Sequence, residues 1–317
     1  VELNHLKRNV YYLETKTDKY VLKCFSDYTA ISWQDKLINQ MIQKGAKGIV
    51  PFIKNKRAQS VNYIEEDKLC YALMPFIPGQ VIDQTNLQQI TDCIKLLGQF
   101  HAYGSGIYGK EPTIPFRSSL YERWNSRLEE VRRSLNQIDT GEVEVEGLLP
   151  FVRDYGRVAL NWGQMALERF PQAYMLYWEE QAQWERQVAH LDVALHNFIV
   201  LDKQQYYLLD YDLADYAPPL FDLIQYLNRL LPYYGYSFNL VKHLVRMYET
   251  HCPLREIQKK YIPILLVYPN DFFREWLGLW RRKEGYHPER VSRYFRTLEQ
   301  TWKERARFVQ TCLSMLP

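Results

Sequence analysis

The chain has 317 residues, 47% of them hydrophobic, and its 40 basic and 37 acidic side chains give a formal net charge of +3. The length suits two lobes and the apolar share supplies a core, while the near balance of charge gives no indication of nucleic-acid binding. Five cysteines (Cys24, Cys70, Cys93, Cys252 and Cys312) are scattered, odd in number and without a C-x-x-C pair, which argues against zinc or disulfide frameworks and for a reducing cytoplasm. The longest apolar run, near Ile262 to Tyr268, falls far short of the ~20 residues of a membrane span, and the polar N-terminus carries no signal-peptide pattern.

Residues 10–15 and 20–25 read as strands around the polar turn Lys16-Thr17-Asp18-Lys19. Alternation puts Lys23 on the same face as Val21 and Phe25, and a lysine on an apolar face needs an anionic partner. No glycine precedes Gly45, so residues 3–9 would have to cover any bound phosphate with bulkier side chains. Residues 29–44 predict a helix striped by Ile31, Ile38, Met41 and Ile42 and stopped by Gly45. Its one acidic residue, Asp35, lies within a turn of both Ile31 and Ile38. Residues 59–65 and 69–74 read as strands around Glu66-Asp67-Lys68. In the segment after them, Pro75 removes one backbone N–H.

Residues 86–103 have helical spacing (Leu87, Ile90, Ile94, Leu97, Phe100), closed by His101, which reads as a packing or capping residue. Residues 118–135 form a charged amphipathic helix, 139–146 an acidic loop, and 151–170 and 174–185 further helix. Next comes His190-Leu191-Asp192-Val193-Ala194-Leu195-His196-Asn197, then two short apolar runs, Phe198-Ile199-Val200-Leu201 and Tyr206-Tyr207-Leu208-Leu209, separated by a polar turn and followed by Asp210. That is a hairpin signal. A hairpin returns its last residue beside its first, so Asn197 and Asp210 should be neighbours, with Asp192 in the loop just before. Leu191 should hold the backbone there to the ordinary φ/ψ regions. A carboxylate, a carboxamide and a second carboxylate at this spacing match what phosphoryl transfer requires: one group to orient a hydroxyl, two oxygen ligands for Mg²⁺. Beyond Asp222 the chain reads as nearly all helix, with breaks near Cys252-Pro253, Pro269-Asn270 and Gly285-Tyr286. Arg281-Arg282-Lys283, Trp276 and Trp280 read as a solvated helix face or, alternatively, as contacts to an anionic or sugar acceptor. The 25 tyrosines read as half-buried packing.

The H-x-D-x-x-x-x-N spacing of His190, Asp192 and Asn197, with Asp210 thirteen residues on, resembles the catalytic core of the aminoglycoside phosphotransferase and choline kinase superfamily, a branch of the protein-kinase-like fold. Asp222 in Pro219-Leu220-Phe221-Asp222-Leu223 resembles a further family aspartate that braces the catalytic loop. Leu73-Met74-Pro75-Phe76-Ile77-Pro78-Gly79 resembles the interlobe hinge, Val21-Leu22-Lys23 the strand lysine, and Leu97-Gly98-Gln99-Phe100-His101 the end of the first large-lobe helix. The resemblance covers roughly residues 10–231. It implies an α+β, bilobal fold: a small antiparallel β-sheet lobe over residues 1–77, a hinge at 74–79, and a large, mostly helical lobe over 78–317. It implies ATP and Mg²⁺ as cofactors. Asp192 and His190 would be the catalytic pair. Lys23 would clamp phosphates with Asp35 standing in for the family's helix glutamate, and Met74, Phe76 and Ile77 would meet the adenine, with Phe76 or Ile77 donating. Asn197, Asp210 and Asp212 would hold metal, and Asp222 would give structural support.

Tyr268-Pro269-Asn270-Asp271-Phe272-Phe273 and the tyrosine-rich segment around 226–236, expected as helix, resemble the bacterial spore coat subgroup of the CotS, YsxE and YutH type. That resemblance implies a location in the mother-cell cytoplasm or the spore coat, with other coat proteins as partners. The acceptor would be a small molecule, a polysaccharide or a coat protein, with no nucleic acid and no membrane. The rival reading is a kinase-like coat protein without turnover, consistent with the missing glycine loop, the missing helix glutamate and Leu191.

Overall fold

The computed structural model describes residues 2–7, 9–65, 69–109, 111, 118–140, 149–202, 205–283 and 285–315. The turn expected at Glu66-Asp67-Lys68, the tip of the 201–206 hairpin at Lys203-Gln204, and the acidic loop from 141 onward lie outside the described residues. The chain divides into two compact units: Val1–Pro112 with Ala182–Asp222 and Arg246–Pro253, and Thr113–Gln181 with Leu223–Val245 and Leu254–Pro317.

The first unit is built on an antiparallel sheet of β1 (Glu2–Lys7), β2 (Val10–Glu14), β3 (Lys19–Phe25), β4 (Val61–Ile64) and β5 (Leu69–Pro75), in the order β1-β2-β3-β5-β4. Strand β3 is central and pairs Lys23 with Val10 on one side and Ala72 on the other. Residues 3–7, expected only as a cover for phosphates, instead form the edge strand β1, with Leu3 and Leu6 exposed. Helix α1 (Tyr28–Gln43) starts where the Asp27 carboxylate accepts from the Thr29 and Ala30 N–H groups, satisfying two donors that helix geometry leaves unpaired. It ends at Lys44, ahead of Gly45 at φ 94°. Its buried face is Ile31, Trp33, Gln34, Leu37, Ile38 and Met41. Both Gln34 and Asp35 fall within a turn of Ile31 and Ile38, and the fold buries the neutral one.

Helix α2 (Leu87–Gly104) is capped by Asn86 and buries Ile90, Cys93, Ile94, Leu97, Phe100 and His101. Strands β8 (Phe198–Asp202) and β9 (Gln205–Leu208) form the expected hairpin, with Phe198 opposite Leu208, and β6 (Gln80–Val81) pairs with β8. A second ribbon joins β7 (Val188–Ala189) to β10 (Asp215–Tyr216). Three pairings therefore fix both ends of the 190–212 segment. The hairpin is further tied to the chain before β4, because the Leu208 N–H donates to Gly48 O at 2.9 Å.

The second unit is helical, built from α3 (Ser119–Asp139), α4 (Leu149–Arg169), most of α5 (Gln172–Trp184), of α6 (Pro219–Leu230) and of α7 (Phe238–Glu249), and α8 (Glu256–Val267), α9 (Asn270–Trp280), α10 (Pro288–Gln300) and α11 (Trp302–Ser314), while Asp222 on α6 and Tyr248 on α7 fall in the first unit. Helix α6 stops at Leu230. The tyrosine-rich stretch expected to be helical to Tyr236 becomes a 3₁₀ turn, Leu231–Tyr234, closed by Gly235 in the left-handed region, because Pro232 has no N–H to continue the α ladder. The Tyr268–Phe273 motif is a packing cassette. The Tyr268 ring stacks on Trp124 at 4.0 Å and its hydroxyl donates to Trp124 O, Arg127 donates to Asn270, and Phe272 and Phe273 are fully buried. Trp276 is likewise fully buried and donates to Ser134 Oγ, so it is core rather than an acceptor contact, and Arg281 pairs with Glu130.

Gly48 has φ +69°, and a Cβ there would lie 2.3 Å from Tyr206 O. Gly48→Ala is thus strained in conformation and in space. It is expected to cost about 1–3 kcal/mol, read as a lower midpoint of urea unfolding with faster amide exchange at Leu208.

Candidate active site

The loop 190–197 is held in place by one buried carboxylate. Asp222, 1% exposed, accepts from the His190 N–H at 2.5 Å and the His101 Nε2 at 2.9 Å through one oxygen, and from the Leu191 N–H at 3.0 Å through the other. His101 accordingly does more than cap α2: its Nδ1 bonds the Tyr248 hydroxyl at 2.7 Å, so Tyr248, His101 and Asp222 form a buried chain ending on the loop backbone. A lone histidine at a helix end carries no sequence signal for such a chain, because Tyr248 is 147 residues away.

Leu191 adopts φ +64°. The expectation of an ordinary conformation was wrong: the Asp222 bond to its N–H holds the residue in a region that costs a non-glycine about 1–2 kcal/mol. His190 is fully buried. Its Nε2 donates to Leu209 O at 2.9 Å and its Nδ1 accepts from the Asp192 N–H at 3.3 Å. Burial first, opposed by the neighbouring carboxylates, holds it below the ordinary 6.5. Both ring nitrogens of His190 are thus engaged by backbone, in a fully buried position.

Asp192 is fixed from both sides, its N–H on His190 and its carbonyl accepting from Asn197 Nδ2 at 2.9 Å. Asn197 closes a 3₁₀ turn, Leu195–Asn197, and its own carbonyl accepts from the Leu209 N–H at 2.8 Å, the residue before Asp210. The hairpin therefore brings Asn197 and Asp210 to one end, as their spacing required. Asp210 has φ +67°. It is followed by Tyr211, whose ring lies parallel to Phe100 at 5.8 Å and edge-on to His190.

Asn197, Asp210 and Asp212 line a cavity of about 340 Å³ together with Lys23, Gln34 and His196. Its apolar wall is Val10, Val21, Phe52, Met74, Ile199 and Leu209. The Lys23 ammonium lies 2.6 Å from Asp210 Oδ1 and 2.6 Å from Asp212 Oδ1, with its side chain only 12% exposed. Burial raises the Asp212 carboxyl above its ordinary value, Lys23 opposes this, and Asp210 adds to it. The expected partner Asp35 is elsewhere: its Oδ1 accepts from Asn39 Nδ2 at 2.8 Å. Gln34, which sequence reasoning passed over, takes the cavity position, because burial rather than charge decided which face of α1 turned inward.

Met74, Phe76 and Ile77 line the same cavity. The Phe76 N–H is spent within the sheet, donating to Lys19 O at 3.0 Å, and the Gly79 N–H donates to Ile77 O at 2.8 Å. Pro75 and Pro78 have no N–H. Of the two donors expected, the structure leaves Ile77 to face a ligand. The cavity suits a planar apolar group against Met74 and Ile199 with anionic groups toward Lys23. Two carboxylates and a carboxamide form an all-oxygen donor set that fits Mg²⁺ or Ca²⁺ and disfavours Zn²⁺. Among the described residues no three His, Cys, Asp or Glu side chains group as a metal site, so a cation here depends on Asn197 as its third protein ligand.

An antiparallel sheet unit carrying this loop and hairpin, with a helical remainder, is the kinase-like phosphotransferase architecture. The model of the phosphotransferase enzyme family matches residues 2–251, and the chain belongs to that family. It is similar to an aminoglycoside phosphotransferase from Alicyclobacillus acidocaldarius, with a TM-score of 0.80, 15% identity, and 99% of this chain and 92% of that one covered. It is also similar to spectinomycin phosphotransferase in complex with ADP and spectinomycin (TM-score 0.56, 14% identity, coverage 99% and 92%). Amicoumacin kinase in complex with AMP-PNP and Ca²⁺ is a third (TM-score 0.57, 15% identity, coverage 98% and 88%). At these identities the likenesses speak for the fold.

Asp222→Ala leaves three buried donors without their acceptor, at about 1–3 kcal/mol each. A loss of at least about 3 kcal/mol is expected in urea unfolding. His190 adds a pH dependence of definite sign. As pH falls through 6.5 the unfolded chain protonates this histidine more readily than the folded one does, so stability falls as pH drops from about 7.5 through that value. The difference in unfolding free energy between wild type and His190→Asn should shrink over that range, because the variant lacks the group that titrates.

Proposed function

We propose that this protein is an ATP- and Mg²⁺-dependent phosphotransferase that acts on an alcohol hydroxyl. The observation that carries the reading is the bridge of Lys23 to Asp210 and Asp212 in a cavity that also takes in Asn197 and the Ile77 N–H. In this reading Ile77 and the apolar wall hold the adenine, and Lys23 turns its ammonium to the phosphates. Asn197, Asp210 and Asp212 would hold Mg²⁺, which when bound neutralises phosphate charge. Asp192, its backbone locked by His190 and Asn197, accepts the proton of the acceptor hydroxyl. The acceptor oxygen forms a new bond to the γ-phosphorus, the bond from that phosphorus to the bridging oxygen breaks, and ADP leaves. Such a site works mainly by positioning and charge neutralisation, which is why so many of its residues serve to fix the 190–197 backbone.

The acceptor in this reading is a sugar, a polysaccharide or a coat protein, at the spore coat or in the mother-cell cytoplasm; the support for that setting is the likeness of the Tyr268–Phe273 motif to spore coat proteins. A second reading, a kinase-like coat protein without turnover, draws support from the chain's lack of any glycine before Gly45 and from the uncharged Gln34 in the cavity.

Melting with Mg-ATP separates the two. Saturation to 100 times Kd adds about 2.7 kcal/mol, a rise of several degrees that Asp210→Ala should abolish. Asp192→Asn should keep that rise while lowering ATP turnover, in a screen of sugar and polysaccharide acceptors, by at least about 10²-fold. No Mg-ATP shift in the wild type points to the protein without turnover.

A further inference from the structure

One ammonium serves two carboxylates at this site. Lys23 lies 2.6 Å from each of Asp210 and Asp212, and helix α1 offers it no anion: Gln34, which faces the cavity, is neutral, and Asp35 is engaged by Asn39. A buried ammonium without an anion is costly, so Lys23 stays on the aspartates until another negative group reaches it. An α1 carboxylate at position 34 would hold Lys23 away from them.

We propose that Lys23 is the exchangeable counter-ion of the Asp210–Asp212 pair, that a divalent cation must displace it to bind, and that the uncharged Gln34 is the residue that sets up this competition. The inference deepens the reading of this cavity as a nucleotide site and rests on it. A cation alone binds poorly because the displaced ammonium is left without a partner. Phosphates supply that partner. Cation and nucleotide therefore strengthen each other's binding, and by linkage to the same degree.

The competition is measurable with metal alone. Mn²⁺ would be titrated calorimetrically into wild type, Lys23→Met, Gln34→Glu, the double variant and Asp210→Ala. Lys23→Met is expected to bind Mn²⁺ at least about tenfold tighter. Gln34→Glu is expected to tighten binding as well by drawing Lys23 toward α1, and the double variant to bind no tighter than Lys23→Met alone, since the glutamate acts only through the lysine. Asp210→Ala should lose the site. The proposal is overturned if Lys23→Met binds Mn²⁺ no better than wild type, if Gln34→Glu is just as effective without Lys23, or if Asp210→Ala still binds. None of these titrations contains nucleotide. A wild type that fails to respond to Mg-ATP thus counts against the proposed function, whereas a responsive wild type with indifferent variants counts against the competition alone.

Discussion

The 190–197 loop depends on a single carboxylate inside the first unit. Asp222 gathers two successive backbone N–H groups and an imidazole, and with them it holds Leu191 in a conformation that leucine avoids when unconstrained. In low dielectric such charge-assisted bonds are strong, and losing the acceptor would strand every donor at once. The strain at Leu191 is therefore stored in a place where the surroundings leave no alternative. Its consequence is local: the next residue, Asp192, points from a backbone that cannot drift. The His190 ring extends the same constraint to the far end of the hairpin through Leu209 O, one residue before Asp210.

The cavity is organised by charged side chains rather than by backbone hydrogen bonds. Two carboxylates share one ammonium, and under the proposed competition cations and phosphates bind there together. Under the proposed function, rigid backbone around a charged cavity is a sensible division for phosphoryl transfer, where geometry and electrostatics carry most of the work. Residues 75–79 show the same economy: two are prolines, and Phe76 and Gly79 have N–H groups already engaged, which leaves the Ile77 N–H to address a ligand.

Sequence reading did well where spacing alone fixes geometry. The hairpin from Phe198 to Leu208 had to bring Asn197 and Asp210 together, since antiparallel pairing allows nothing else. The strand alternation that put Lys23 beside Val21 and Phe25 held for the same reason. It failed where two adjacent residues competed for one role. Gln34 and Asp35 satisfy the helical period almost equally, and charge made Asp35 the natural choice; the fold turned the amide inward and gave the aspartate to Asn39. It could not foresee that His190 would be fully buried with both ring nitrogens bonded to backbone, since its two partners are set by the fold of the hairpin.

The amino-acid sequence thus determined the elements, the hairpin that unites two metal-ligand candidates, the position of the strand lysine and the family to which those spacings belong, because local periodicity and turn length suffice for each. Tertiary structure alone decided which partner Lys23 takes, which hinge N–H remains available, that Tyr248 and His101 support the loop, and that Leu191 and Asp210 sit at positive φ. These depend on contacts that the fold makes between residues from 57 to 187 positions apart, or on bonds strong enough to override a residue's own preference, and neither leaves a periodic trace in the chain.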